Sequence, residues 1–179
     1  MSSKTPHDAP TIKSIEDDDI TEVIALWQRC GLTRAWNDPA ADIALARREA
    51  NATVLLARTD GTLVASVLVG HDGHRGWVYY VTVDPDHRSK GYGEQIMRAA
   101  EDWLRARGIE KLQLMVRGDN AKVHAFYEAL GYGRSVQDAF DLALVQLTAA
   151  GADRSLAKLY KKRGAKPSET ILVNPPRPQ

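Results

Sequence analysis

The stretch "DPDHRSKGYGEQIMRAAEDWLRARG" (84–108) sets basic residues, a serine and two glycines directly ahead of an amphipathic helix. Gly91 and Gly93 cost backbone entropy there and leave the first turn without side-chain packing, which implies a need for exposed backbone. Further on, Ile96, Met97, Ala100, Trp103 and Leu104 recur as one apolar stripe at helical spacing, and Gly108 follows as a stop. The start of such a helix offers N–H groups without internal partners and a dipole that favours anions. Arg88 and Lys90 add positive charge beside it. The segment therefore reads as a backbone cradle for a pyrophosphate, or else as a tight strand-to-helix turn with a solvated basic rim. Two other phosphate patterns fail. A P-loop needs Gly-Lys-Ser/Thr after a four-residue spacer, which the chain lacks. A dinucleotide fingerprint needs a third glycine where Ile96 stands, and glycines that follow directly on a parallel strand.

Working outward, three segments read as a meander of strands: "ATVLLART" (52–59), "TLVASVLVG" (62–70) and "GWVYYVTVD" (76–84). Asp60-Gly61 and "HDGHRG" (71–76) supply its turns. Within the third, Trp77, Tyr79, Val81 and Val83 share a period-two register and are expected on one face. Earlier in the chain, "TIKSIE" (11–16) reads as a short strand and "DITEVIALWQRC" (19–30) as a helix, with Asp19 and Glu22 placed like a capping box. "GLTRAWNDP" (31–39) is a loop, and "DPAADIALARREAN" (38–51) a second helix with Pro39 in its first turn. After Gly108, "KLQLMVR" (111–117) is a strand and "NAKVHAFYEALG" (120–131) a helix. Val123, Phe126, Tyr127 and Leu130 share its apolar face, Asn120 is its N-cap and Gly131 its C′ residue. A last strand is expected in "DAFDLALVQL" (138–147), then a short helix to about Arg163 and a mobile tail. The expected domain limits are an arm over residues 1–10, one α/β (α+β) domain over 11–150, and a basic, proline-ending tail over 151–179.

Composition narrows the function classes. At 179 residues, 44% hydrophobic and 26% charged, the chain is an ordinary globular protein. A net charge of +1 gives no support to a nucleic-acid or membrane partner, even with "KLYKKRGAK" (158–166) near the end. The single Cys30 excludes an internal disulfide, and no Cys/His cluster suggests a metal. With no apolar signal segment and no run long enough to span a bilayer, the expected address is the cytoplasm.

Two motifs in order give the chain a likeness. "RSKGYG" (88–93), after "VTVDPDHR", resembles the Arg/Gln-x-x-Gly-x-Gly/Ala loop of the GNAT superfamily of acetyl-CoA-dependent N-acetyltransferases. "NAKVHAFYEALGY" (120–132) is similar to that family's Asn-x-x-Ala-x-x-x-Tyr-x-x-x-Gly-Phe/Tyr pattern. "LWQRCGLTRAWNDPAADI" (26–43) and "GHDGHRGWVYYVTVDPDHRSKGYG" (70–93) resemble the small bacterial YpeA-type members. The resemblance covers about residues 11–147 and implies a mixed, mostly antiparallel twisted sheet flanked by helices.

It also implies the chemistry. Acetyl-CoA is the co-substrate, with its pyrophosphate on Arg88, Ser89, Lys90, Gly91, Tyr92 and Gly93. Its pantetheine arm pairs with the backbone of Val81 and Val83 like an added strand. Asn120 contacts the cofactor, and Tyr127, seven residues on and so on the same helix face, gives a proton to the departing sulfur. A phenol suits that role because its reference pKa lies only one or two units above a thiol's. Read from the residues alone, Asn120 and Tyr127 are equally a cap and a core aromatic. Met115 stands where several relatives that acetylate protein N-termini carry a glutamate base, so the base is open. His71, Asp72 and His74 are either a proton relay or a polar turn, while His87 and His124 suit exposed or capping roles. Trp36, Asn37 and Asp38 fall where the family's acceptor wall lies. The acceptor is an amine of a small molecule or a protein, and a homodimer stays open. A non-catalytic acyl-CoA-binding domain is the alternative function.

Overall fold

The computed structural model describes residues 9–117, 120–134 and 169–173. The chain divides into two compact units, residues 1–112 and 113–179.

In the first unit β1 (Thr11–Ser14), β2 (Ala52–Thr59), β3 (Thr62–His71) and β4 (Gly76–Val83) pair in sequence order, all antiparallel. The two turns fall at Asp60-Gly61 and at residues 72–75, as the turn residues predict. β3 is buried on both faces from Leu63 to Val69 because helices cover both. On one face lie α1 (Ile20–Arg29) and α2 (Pro39–Ala46), where Val23, Leu26, Trp27 and Ile43 close over Val54, Leu56 and Leu68. On the other lies α3 (Tyr92–Arg105), whose stripe of Ile96, Met97, Ala100 and Leu104 is buried as its spacing predicts. At Gly76 any Cβ would come within 2.3 Å of Leu104 Cδ1, so glycine permits the close approach of α3 to β4.

The start of α1 corrects the expected capping box. Asp19 instead closes a box with Glu16 around a 3₁₀ turn (Asp17–Asp19): its Oδ2 accepts the Glu16 N–H at 3.0 Å. Glu22 pairs with Arg58 rather than with the helix end. The reason is competition for Asp19: Lys13 Nζ and Arg58 Nη2 of the neighbouring strands lie 3.2 and 2.9 Å from its carboxylate. α2 is also shorter than "DPAADIALARREAN" suggests. Asp38 caps it, with Oδ1 accepting the N–H groups of Ala40 and Ala41.

The second unit holds β5 (Leu112–Arg117, beginning at the boundary), α4 (Ala121–Ala129), β6 (Gly133–Arg134) and β7 (Glu169–Val173). β7 lies antiparallel between β5 and β6, pairing Gln113–Arg117 with Val173–Glu169. This overturns a mobile tail at those five residues: Thr170, Ile171 and Val173 are β-branched and suit a ladder position. The strand expected at 138–147 and the helix to Arg163 lie outside the described residues. His124 is a further correction. It is 4% exposed, because it shares the buried face of α4 with Tyr127, one turn further on.

Candidate active site

β4 departs from regular strand geometry at its centre. Ser66 faces Thr82 and Leu68 faces Tyr79, so Tyr80 and Val81 together oppose Val67 in a bulge. Tyr80 has φ +50°, a conformation that costs a bulky residue on the order of 1–3 kcal/mol. The bulge changes the side-chain register. Trp77 and Tyr79 share a face with Thr82, whereas Val83 pairs with Ala65 and falls on the face of Val78. The expected single face for Trp77, Tyr79, Val81 and Val83 is therefore wrong, since one extra residue inverts the alternation.

Five contacts hold the bulge. The Tyr80 ring stacks on Trp27, centroids 3.9 Å apart and planes 4° off parallel. Trp27 Nε1 donates to Ser66 Oγ at 2.9 Å, beside the bulge on β3. Tyr80 Oη donates to Asp42 Oδ2 at 2.6 Å and accepts from Asn37 Nδ2 at 3.2 Å. The Thr82 hydroxyl donates to the Tyr80 carbonyl at 2.6 Å. Burial, reinforced by the Asp42 carboxylate, raises the Tyr80 phenol above its ordinary pKa. Sequence reading missed Tyr80 and Asp42, because a bulge is fixed by the partner strand and not by local pattern.

Past Val83 the chain turns sharply. Asp84 Oδ1 accepts the Asp86 N–H at 2.9 Å, and its other oxygen is salt-bridged to Arg29. Burial works to raise the Asp84 pKa, but the Asp86 N–H, His87 and Arg29 outweigh it and hold the carboxyl below the usual range. His87 Nδ1 is 3.4 Å from Asp84 Oδ1, in keeping with a capping role. Arg88, Ser89, Lys90 and Gly91 then run along the surface, all exposed. Ser89 (φ +61°) and Gly91 (φ +85°) are both left-handed. Gly91 is the N-cap of α3 and supplies no side chain to it, so the first helical N–H groups stay open to an external anion. Tyr92 is buried instead: it is 2% exposed and its Oη lies 3.3 Å from Thr59 Oγ1, leaving only its backbone for a ligand.

The first unit thus brings together Val81, Val83 and the segment from Arg88 to Gly93. Asn120 and Tyr127 lie in the second unit, on α4. Asn120 caps that helix, its Oδ1 accepting the Val123 N–H at 3.3 Å. Tyr127 is 5% exposed, edge-on to Phe126 and Tyr132, and burial drives its phenol pKa well up. Met115 is half exposed on β5. The hairpin residues take the polar-turn role: Asp72 Oδ1 accepts the N–H groups of His74 and Arg75 at 2.8 and 2.7 Å. Asp38 and Asn37 are engaged as described, and Trp36 is 83% exposed.

Comparison with known proteins bears on this arrangement. Residues 13–132 match the acetyltransferase (GNAT) family. An acetyltransferase of Yersinia pestis is 45% identical over 121 residues, covering 68% of this chain and 86% of that one. The ribosomal-protein-S18-alanine N-acetyltransferase of Escherichia coli shares the fold, with TM-score 0.66 and 20% identity over 95% of this chain and 96% of that one. So does the yncA protein of Salmonella typhimurium, solved with its cofactor acetyl-CoA (TM-score 0.60, 22% identity, 71% and 81% covered). The fold class is that of these enzymes: α/β, a sheet flanked by helices.

Proposed function

The chain belongs to the acetyltransferase (GNAT) family and is an acetyl-CoA-dependent N-acetyltransferase, and on that premise we propose how its own residues divide the work. Arg88, Ser89, Lys90, Gly91, Tyr92 and Gly93 bind the pyrophosphate, the tyrosine and glycines through backbone N–H groups and Arg88 and Lys90 through charge. The backbone of Val81 and Val83 holds the pantetheine arm. Asn120 contacts the cofactor, and Tyr127 delivers the proton that the leaving thiolate takes up. The bound cofactor supplies the thioester. The acceptor is an amine of a small molecule or a protein in the cytoplasm, and the active form is a monomer or a homodimer. The acetyltransferase domain runs from residue 11 to about 150, with residues 1–10 an arm and the basic segment from 151 contributing β7.

One observation carries the cofactor assignment: the 14-residue helix α3 starts at a left-handed glycine with no side-chain cap, beside exposed Arg88 and Lys90. That is the arrangement a doubly charged pyrophosphate needs, with donors, charge and unobstructed backbone. Gly91→Asp tests it by placing a side chain at φ +85° and a negative charge at the helix start. Calorimetry should register a loss of acetyl-CoA affinity of tenfold or more, about 1.4 kcal/mol. Equal affinity in a folded variant removes the cradle, and tighter binding of ATP or NAD than of CoA removes the cofactor reading.

A further inference from the structure

The residue that accepts the acceptor's proton is unassigned, since Met115 occupies the place of a glutamate base. We infer that Tyr80 and Asp42 form the amine-handling pair: Tyr80 Oη is the catalytic group that meets the acceptor's ammonium, and Asp42 is the positioning carboxylate behind it. The inference rests on the reading that β4 holds the thioester arm through Val81, the residue sharing the bulge with Tyr80.

The geometry supports a directed relay. Tyr80 Oη donates its own proton to Asp42 Oδ2 at 2.6 Å and accepts one bond, from Asn37 Nδ2 at 3.2 Å. A phenolic oxygen has two acceptor sites, so one remains for an incoming N–H. Both groups are half-buried: exposed enough to be reached, and shielded enough for a carboxylate to attract an ammonium. Neighbouring carboxylates of the same unit are committed elsewhere, Asp38 to the cap of α2, Asp84 to Arg29 and Asp19 to Arg58 and Lys13. The stack on Trp27, itself tied to Ser66, fixes the ring of Tyr80 at the bulge. Trp36, next to Asn37 in sequence, is exposed and leaves an aromatic face open to a cation. The ligand class is a primary amine arriving in its ammonium form.

The step balances. The ammonium passes one proton to Tyr80 Oη while Tyr80 passes its own to Asp42, which releases it to solvent. The freed amine forms the N–C bond to the acetyl carbon, the C–S bond breaks, and the thiolate takes a proton. The amide nitrogen loses its second proton to water.

Two probes separate this role from a merely structural one. Benzylamine is cationic near neutral pH and must lose a proton before it attacks, whereas hydroxylamine is largely neutral there. For Asp42→Asn and Tyr80→Phe, the ratio of the benzylamine rate to the hydroxylamine rate, each corrected for the uncatalysed reaction, should fall tenfold or more. Calorimetric affinity for benzylamine should fall in Asp42→Asn while affinity for acetyl-CoA holds. An equal loss with both probes would show that the pair only braces the bulge, and an unchanged ratio would leave it no part in proton handling; either overturns the inference. So does a native protein that binds acetyl-CoA yet turns over neither probe. Failure of the native protein to bind acetyl-CoA at all would overturn the cofactor reading instead.

Discussion

Tyr127 carries a proton that burial holds on tightly, so the phenol stays protonated through the whole neutral range. That suits an acid which must be loaded before each turnover, and it also makes the transfer to sulfur uphill unless the thiolate forms beside it. In its proposed role the group would act by donating a hydrogen bond as charge develops, with its value in the transition state. Tyr127→Phe keeps the packing against Phe126 and Tyr132 and removes only the hydroxyl. We expect kcat to fall by about 10²–10⁴-fold, with KM for acetyl-CoA and melting temperature little changed. Undiminished turnover in a folded variant would end the role, and an unfolded variant would mark the hydroxyl as structural. The start of α3 was legible because the two glycines ahead of an apolar stripe are a local signature. Tyr80 left none: its place in the bulge and its contacts come from β3, Trp27 and Asp42, each distant in sequence.

Secondary-structure elements repeat that division. β2, β3 and β4 fall within a residue of their expected limits, since β-branched runs bounded by Asp-Gly and by a polar turn depend on local chemistry alone. The capping box was displaced by three residues because two cations from neighbouring strands claim Asp19. The face of β4 was inverted past Tyr80 by one inserted residue. β7 was hidden in a basic, proline-ending segment, where composition pointed away from a strand. Its five-position ladder with β5 makes a prediction. Deleting residues 168–179 should expose the edge of β5 and lower the melting temperature by about 5 °C or more, roughly 2 kcal/mol for a chain of this size. Unchanged melting would mean that β7 contributes nothing to stability.

Across the molecule as a whole, two carboxylates tie α1 to the sheet, Asp19 through Lys13 and Arg58 and Asp84 through Arg29. Burial alone would raise the pKa of Asp19, but the Glu16 N–H, Arg58 and Lys13 bring it below the ordinary value, as their counterparts do for Asp84. A carboxyl depressed in the folded state stabilises it above the unfolded pKa of about 3.9, and that contribution disappears as pH falls through the folded value. The urea midpoint should therefore hold between neutral pH and about pH 5 and drop steeply below about pH 4. Asp19→Asn should lower the midpoint at neutral pH and flatten the acid limb; an unaltered acid limb would count against the Asp19 cluster as its source.

Exposure of Trp36 has an optical consequence. Of the four tryptophans, Trp27 is sealed in the core, Trp77 and Trp103 are partly covered, and Trp36 stands in water. A solvated indole emits to the red of a buried one and is reached first by iodide. The loop before α2 therefore carries its own fluorophore, and anything settling there should shift its emission to the blue and shield it from the quencher without a label being attached.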